Sequence, residues 1–362
     1  VSKQKIEVAE QPTAASTQKQ AENSGTSHRS GGLVQNLMHG PAGRSLGLVV
    51  ALVVLVLIGL ITSGDRFTSS ENMLVILRHA SIIGVLSIGV TFVITAGGID
   101  LSVGSVLGLT SVVGSLTAVQ AAASDSTWLI MVVVSLLVGA IAGLINGVII
   151  AYGNVVAFIA TLATLVAARG LAEIISERRT LLVTNTDFTK FMRADFLGVP
   201  VLVWIFALVA AAGWFLLNRT TFGRRTVAIG GNLEASRLAG IKVKRHIVSL
   251  YVLVGVAAGI AGLMMMGRTT SGTSTHGYLY ELDAIAAVVV GGTLLVGGRG
   301  TIMGTVFGVL IFSTLTNVFT QNNMDTSVQA LAKGAIIVLA VLLQQRFASG
   351  KVRKAKKLPL KV

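Results

Sequence analysis

From Leu46 to Ile61 the chain carries no charged side chain and no side-chain hydrogen-bonding group. That run, repeated in kind along the sequence, constrains the fold more than anything else in it. A hydrocarbon core takes about 20 apolar residues per helix and offers backbone amides no partner but each other. Comparable runs lie at about 46–61, 72–96, 102–122, 128–150, 155–172, 199–217, 247–266, 283–297, 302–320 and 328–345. They predict an all-α polytopic membrane bundle of roughly ten transmembrane helices, with boundaries movable by several residues. With 53% hydrophobic residues, 12% charged residues and a mean hydropathy of +0.79, a soluble surface is ruled out. The first run lies far from the N-terminus and lacks a small-residue cleavage site, so it reads as a retained span rather than a signal peptide.

Charge orients the bundle. Between two apolar runs, residues 219–246 hold Arg219, Arg224, Arg225, Arg237, Lys242, Lys244 and Arg245 against one acid, Glu234. Such an excess predicts a cytoplasmic loop. The tail, 346–362, is basic without an acid and should share that side, and four runs separate the two. Counting back places the N-terminus inside as well. The predicted outer loops then collect Asp65, Glu71, Asp125, Glu173, Glu177, Asp187, Asp195, Glu281, Asp283 and Asp325. Residues 1–44, rich in Gln, Ser, Thr, Ala and Lys, read as a disordered cytoplasmic tail, and 45–345 as the membrane domain. The net charge of +14 lies near span ends and in the tails. That placement fits orientation and contact with membrane lipid, not nucleic acid.

Within the basic loop, Asn232 to Gly240 reads as a short helix. Asn232 is the N-cap, Glu234 sits in the first turn, and Gly240 is the stop. Nothing inside the loop can cover such a helix, so it calls for a partner.

Enzyme signatures are missing. There is no Walker A sequence, no His-x-x-x-His pair and no cysteine, which removes P-loop ATP binding, an intramembrane zinc protease and thiolate chemistry. Gly43-Arg-Ser45-Leu-Gly47 matches a nucleophile elbow without the strand–turn–helix setting that motif needs. Neither catalytic residues nor a metal site are predicted. Asp100, in Thr95-Ala-Gly-Gly-Ile-Asp-Leu-Ser102-Val-Gly104, admits two readings. One is irregular backbone at membrane depth serving a substrate pathway or gate; the other, favoured by the topology, is an N-cap in which Asp100 or Ser102 takes free amides. A second Gly-rich turn, Gly291 to Thr301, contains Thr293 and Arg299 and is placed similarly. Asn146, Asn317, Gln329 and Lys333 lie within apolar runs, where they serve either a hydroxylated solute or helix–helix hydrogen bonds. Arg169 is expected to snorkel from an outer helix end. Glycines four apart (Gly104/Gly108, Gly139/Gly143/Gly147, Gly255/Gly259, Gly300/Gly304/Gly308) predict close helix packing.

Four stretches, in order and spread over about 72–345, carry a resemblance: Gly97-Gly-Ile-Asp-Leu-Ser-Val-Gly-Ser105; Gly143-Leu-Ile-Asn-Gly147; Gly223-Arg-Arg with Ala228-Ile-Gly-Gly-Asn232, Glu234-Ala235 and Gly240-Ile241; and Tyr280 to Gly292. Together they resemble the permease subunits of bacterial ABC importers for ribose, xylose, galactosides and related monosaccharides. The resemblance implies a type II architecture like that of the vitamin B12 importer. It also implies a coupling helix at 232–241 in which Asn232, Glu234, Ala235, Gly240 and Ile241 meet a cytoplasmic ATP-binding-cassette ATPase. A homodimer and an extracytoplasmic sugar-binding protein are implied too. ATP and Mg would belong to the ATPase, with no cofactor in this chain. On that reading Asp100, Ser102, Asn146, Thr293 and Asn317 are candidates for the pathway or its gates. Glu281 and Asp283 are candidates for the rim where the binding protein docks. One departure is the lack of proline before Phe158-Ile-Ala-Thr-Leu162. Competing readings are a branched-chain amino acid or nucleoside importer permease, a secondary transporter or channel, and an intramembrane enzyme.

Overall fold

The computed structural model describes residues 41–336, 338, 339 and 342. The predicted tails, apart from 41–44, fall outside them. The chain divides into compact units at Arg44/Ser45, and the second unit holds the helical bundle. Helix α1 (Pro41–Ser63) starts on proline, whose missing N–H costs nothing in the first turn. It is apolar all round and only 11% buried over its spanning window, as a lipid-facing helix is. Gly64, at φ 54, turns the chain into the short α2 (Asp65–Thr68). Helix α3 (Ser70–Thr95) is the opposite case: from Ala80 to Thr95 every residue is buried. It is the axis of the bundle.

Helix α4 (Val103–Gly114) and α5 (Thr117–Asp125) form one span bent by 56°. The bend falls where the Ser115 hydroxyl donates back to the Ser111 carbonyl, a bond that competes with the helix ladder. Helices α6 (Leu129–Ala151) and α7 (Ala157–Ile175) follow. The break between them, where the family pattern has proline, is made by residues 152–156, with Asn154 at φ 53. A cap of irregular chain then covers one end. It comprises β1 (Leu181–Leu182), the amphipathic α8 (Thr186–Arg193), and a hairpin of β2 (Asp195–Phe196) and β3 (Val199–Pro200). Leu197 and Gly198, both at positive φ, give that hairpin the mirror-image turn its twist requires. Phe188 and Met192 of α8 are buried with Met131, Leu263 and Met266.

Helix α9 (Val201–Arg219) returns to the opposite end, where α10 (Thr221–Gly231) and α11 (Leu233–Leu238) lie before α12 (Val243–Thr269). Helices α6 and α12 are the most intimate pair. A Cβ on Gly143 would meet the Tyr251 backbone, one on Gly147 would lie 2.8 Å from the Val248 Cα, and one on Gly259 would lie 2.8 Å from the Ser135 carbonyl. The predicted glycine packing is realised here.

After α12 the next crossing is not a continuous helix. From β4 (Ser271–Gly272), paired antiparallel with β1, the chain runs in successive turns along α4, the His276 amide donating to the Thr273 carbonyl and the Tyr278 amide to the Thr275 carbonyl, until Gly277 lies against Gly104. It then forms α13 (Tyr280–Val290), whose 11 residues reach about 16 Å, half the hydrocarbon thickness. A glycine-rich turn, 291–301, leads into α14 (Ile302–Gln321), and residues 326–336 are again helical. The expected span at 283–297 is therefore a broken crossing, which leaves the capped end at β4, continues through turns into α13 and reaches the basic end where Gly298 meets Thr95. Among the described residues seven helices are long and apolar enough to cross a membrane, eight with the bent pair, against the ten expected. The last expected span, 328–345, lies partly outside the described residues.

Candidate functional site

The basic end is built on α10 and α11. The Thr220 hydroxyl accepts from the Gly223 amide to start α10. Thr226 Oγ1 lies 2.8 Å from His246 Nε2, which pins α10 to the first turn of α12. Asn232 then caps α11, its side-chain oxygen accepting from the Ala235 amide at 2.9 Å. At the far end the Gly240 amide donates to the Arg237 carbonyl and the Ile241 amide to the Ser236 carbonyl, with Gly240 at φ 81. That bond pair is a Schellman stop, and only glycine takes its backbone angle without strain. Glu234 and Arg237 pair across the helix surface at 3.6 Å. All of α11 except Ser236 is exposed, and Leu238 is 85% exposed. A six-residue helix, capped at both ends and showing a leucine to solvent, is shaped to be covered by something else. Sequence reasoning found α11 but missed α10.

A second cluster sits where the loop after α3 enters the bundle. One Asp100 carboxylate oxygen accepts from the Ser102 amide at 2.8 Å and from its hydroxyl at 2.6 Å. The Asn146 amide donates to the Ser102 hydroxyl at 3.0 Å, and the Thr164 hydroxyl donates to the Asn146 carbonyl oxygen at 2.5 Å. The Thr161 hydroxyl reaches the Ile99 carbonyl. Three of the predicted pathway residues, Asp100, Ser102 and Asn146, thus form one buried chain of bonds linking α4, α6 and α7. Burial pushes the Asp100 carboxyl above the ordinary carboxylate range, and the Ser102 bonds pull the other way. Asp100 holds the N-cap residue's own amide rather than those of the first turn. Beside it the buried Tyr251 hydroxyl has no hydrogen-bond partner among the described residues.

The remaining predicted residues are dispersed. Asn317 exchanges amide bonds with Asn72 at 2.7 and 3.1 Å, joined by Gln321, as a clamp between α14 and α3. Thr293 is buried in the turn and its hydroxyl accepts from the Thr301 amide. Gln329 bonds the Met324 carbonyl.

Two expectations are corrected. Glu281 and Asp283 form no rim, because both lie within the broken crossing at 8% and 9% exposure. Asp283 pairs with Lys333 at 3.0 Å, and Glu281 packs against Gly104. Arg169 does not snorkel; it crosses α4 and donates to the Ser274 and His276 carbonyls, which the turns of this irregular segment leave without main-chain donors. Its sequence context gave no sign of this, since the acceptors are main-chain atoms. At the acidic end, Arg78, Arg193 and Arg268 border a cavity of about 240 Å³, with Arg78 3.7 Å from Asp195.

Comparison with known proteins agrees with this geometry. The family described as "Branched-chain amino acid transport system / permease component" matches residues 72–341. The ribose import permease protein RbsC of Bacillus subtilis (strain 168) is 42% identical over 307 residues, covering 84% of this chain and 93% of its own. That of Haemophilus influenzae is 40% identical, covering 84% and 94%. The xylose transport system permease protein XylH of Escherichia coli (strain K12) is 31% identical, covering 81% and 90%. No solved structure matches.

Proposed function

This chain belongs to the family of branched-chain amino acid transport system permease components and is a multi-pass protein of a bacterial inner membrane, and we propose that it is the membrane-spanning subunit of an ABC importer for a monosaccharide of the pentose or hexose class. The observation that carries the choice of solute is near-full-length likeness to ribose import permeases at 40–42% identity. In this reading the basic end faces the cytoplasm. A separate ATPase covers α11, with Asn232 and Gly240 setting its frame and Leu238 its apolar contact. A second copy of the chain completes the pathway, and ATP and Mg stay on the ATPase. A solute-binding protein meets the acidic end, where Arg78, Arg193 and Arg268 offer positive charge beside the cavity. ATP can shift the permease between two states only through contacts that differ between them, and a short rigid helix supports that role better than an open loop.

The family's description keeps a branched-chain amino acid as the second reading. Both are tested by reconstituting the chain in liposomes with its ATPase and binding protein, and offering ribose, xylose and leucine. The expected result is saturable uptake of a sugar that stops when ATPase or ATP is omitted. Uptake of leucine alone would replace the solute, and uptake by this chain unaided would reject the importer reading.

A further inference from the structure

Three segments meet side-chain-free at the basic end. The Gly298 amide donates to the Thr95 carbonyl at the last turn of α3, at 2.9 Å. Gly230 of α10 lies against the same carbonyl, and a Cβ there would be 2.5 Å from the Gly298 nitrogen. A Cβ on Gly297 would be 2.8 Å from the Gly230 carbonyl oxygen, and one on Gly298 would be 3.1 Å from the Gly231 Cα. Gly297 and Gly298 also sit at φ 83 and 77, so both the approach and the backbone angles require glycine.

The position of this meeting point gives it meaning. Gly231 is followed directly by Asn232, the cap of α11, and the Asn232 amide still donates to the Ala228 carbonyl of α10. Only Asn232 separates α11 from α10, whereas Ala239 to Lys242 intervene before α12. On the other side, Gly297 and Gly298 belong to the turn that ends the broken crossing, and Gly291 of that turn packs on the Gly304 backbone. Side chains at a contact can change rotamer and absorb a displacement; backbone packed on backbone has no such freedom.

We propose that the contact of Gly230 and Gly231 with Gly297 and Gly298 is the joint that carries movement of α11 to residues 270–301, and that it stays closed through the transport cycle. These are positioning residues, acting through the broken crossing that precedes them. The proposal rests on the importer reading. In proteoliposomes holding the complete importer, ATP-driven ribose uptake by the unaltered chain tests that reading, whatever the joint does. Given such uptake, Gly230→Ala forces α10 away from Thr95. Ribose moved per ATP hydrolysed is then expected to fall about tenfold, inside the usual range for coupled sites. The ATPase should co-purify as before, and Gly47→Ala, which meets nothing within 4 Å, should leave the ratio unchanged. An unaltered ratio in Gly230→Ala overturns the joint.

A second variant asks the question with a covalent bond, and comparing the oxidised and reduced forms of the same protein cancels the strain that a side chain brings at Gly298. The chain has no cysteine, so Gly231→Cys with Gly298→Cys forms the only thiol pair. The structure expects it to cross-link on oxidation and to keep the unoxidised protein's ribose-to-ATP ratio. Failure to cross-link, or uptake that stops until reductant is added, overturns the proposal.

Discussion

Between α6 and α12, Gly139, Gly143 and Gly147 meet Gly255 and the backbone around Tyr251 and Val248, helix against helix, whereas along α4 Gly104 and Gly108 meet the irregular chain at Gly277 and His276. The spacing in sequence is the same and the physics is not. Two full helices satisfy their own amides and carbonyls, so glycine only lets them approach, and dispersion across a long interface holds them. A segment of irregular turns satisfies only some of its own carbonyls and brings those of Ser274 and His276 into the bundle without a main-chain donor. Those carbonyls need donors, and Arg169 supplies them to Ser274 and His276. The first region is closed by packing alone; the second is held by side-chain bonds, from Arg169 and from Ser111 at the Thr273 carbonyl and the His276 ring, which makes it the part that can be released.

The strongest way to break this contrast is Gly143→Leu. The new side chain would run into the Tyr251 and Val252 backbone, and overpacking of this kind costs about 3 kcal/mol or more where nothing can yield. Loss of monodisperse protein in detergent is the expected outcome. A well-folded variant would mean the pair is looser than described.

Arg169→Met should act differently. Stranding two buried carbonyls costs about 1–3 kcal/mol, yet α6 and α12 do not depend on them. The protein should fold, and a Thr275→Cys reporter on the irregular segment should react faster with a thiol reagent than with Arg169 present. Equal rates would show that the tether holds nothing. Smaller still is Asn72→Leu, which removes the amide clamp to Asn317. Interhelical hydrogen bonds in membranes are worth about 0.6 kcal/mol, rarely above 1.7. A drop in thermal midpoint smaller than that of Arg169→Met is expected, and a larger one would reverse the ranking.

These cases mark how far the sequence could be read. Apolar runs located the long helices because lipid solvation sets their length and composition directly. Asn232, Glu234 and Gly240 predicted α11 and its caps because capping is local. The break in the crossing after α12 was illegible for a physical reason. Residues 283–297 are as apolar as a span, and a chain of turns buried in protein leaves no hydropathy signal of its own. Asp100, Ser102 and Asn146 could be singled out one at a time, but their joining through Thr164 depends on how α4, α6 and α7 cross. Glu281 and Asp283 were misplaced because acids beside an apolar run look like a loop until Lys333 and Gly104 are seen to cover them.

Central to the importer reading is α11 as a docking surface on the ATP side of the membrane. In this cysteine-free chain, Leu238→Cys places one thiol at the most exposed leucine of that helix. A membrane-impermeant maleimide should label it in inside-out vesicles, leave it untouched in sealed right-side-out cells, and lose access when the ATPase subunit is bound. Labelling from outside the cell, or labelling that the bound ATPase does not diminish, would contradict that placement.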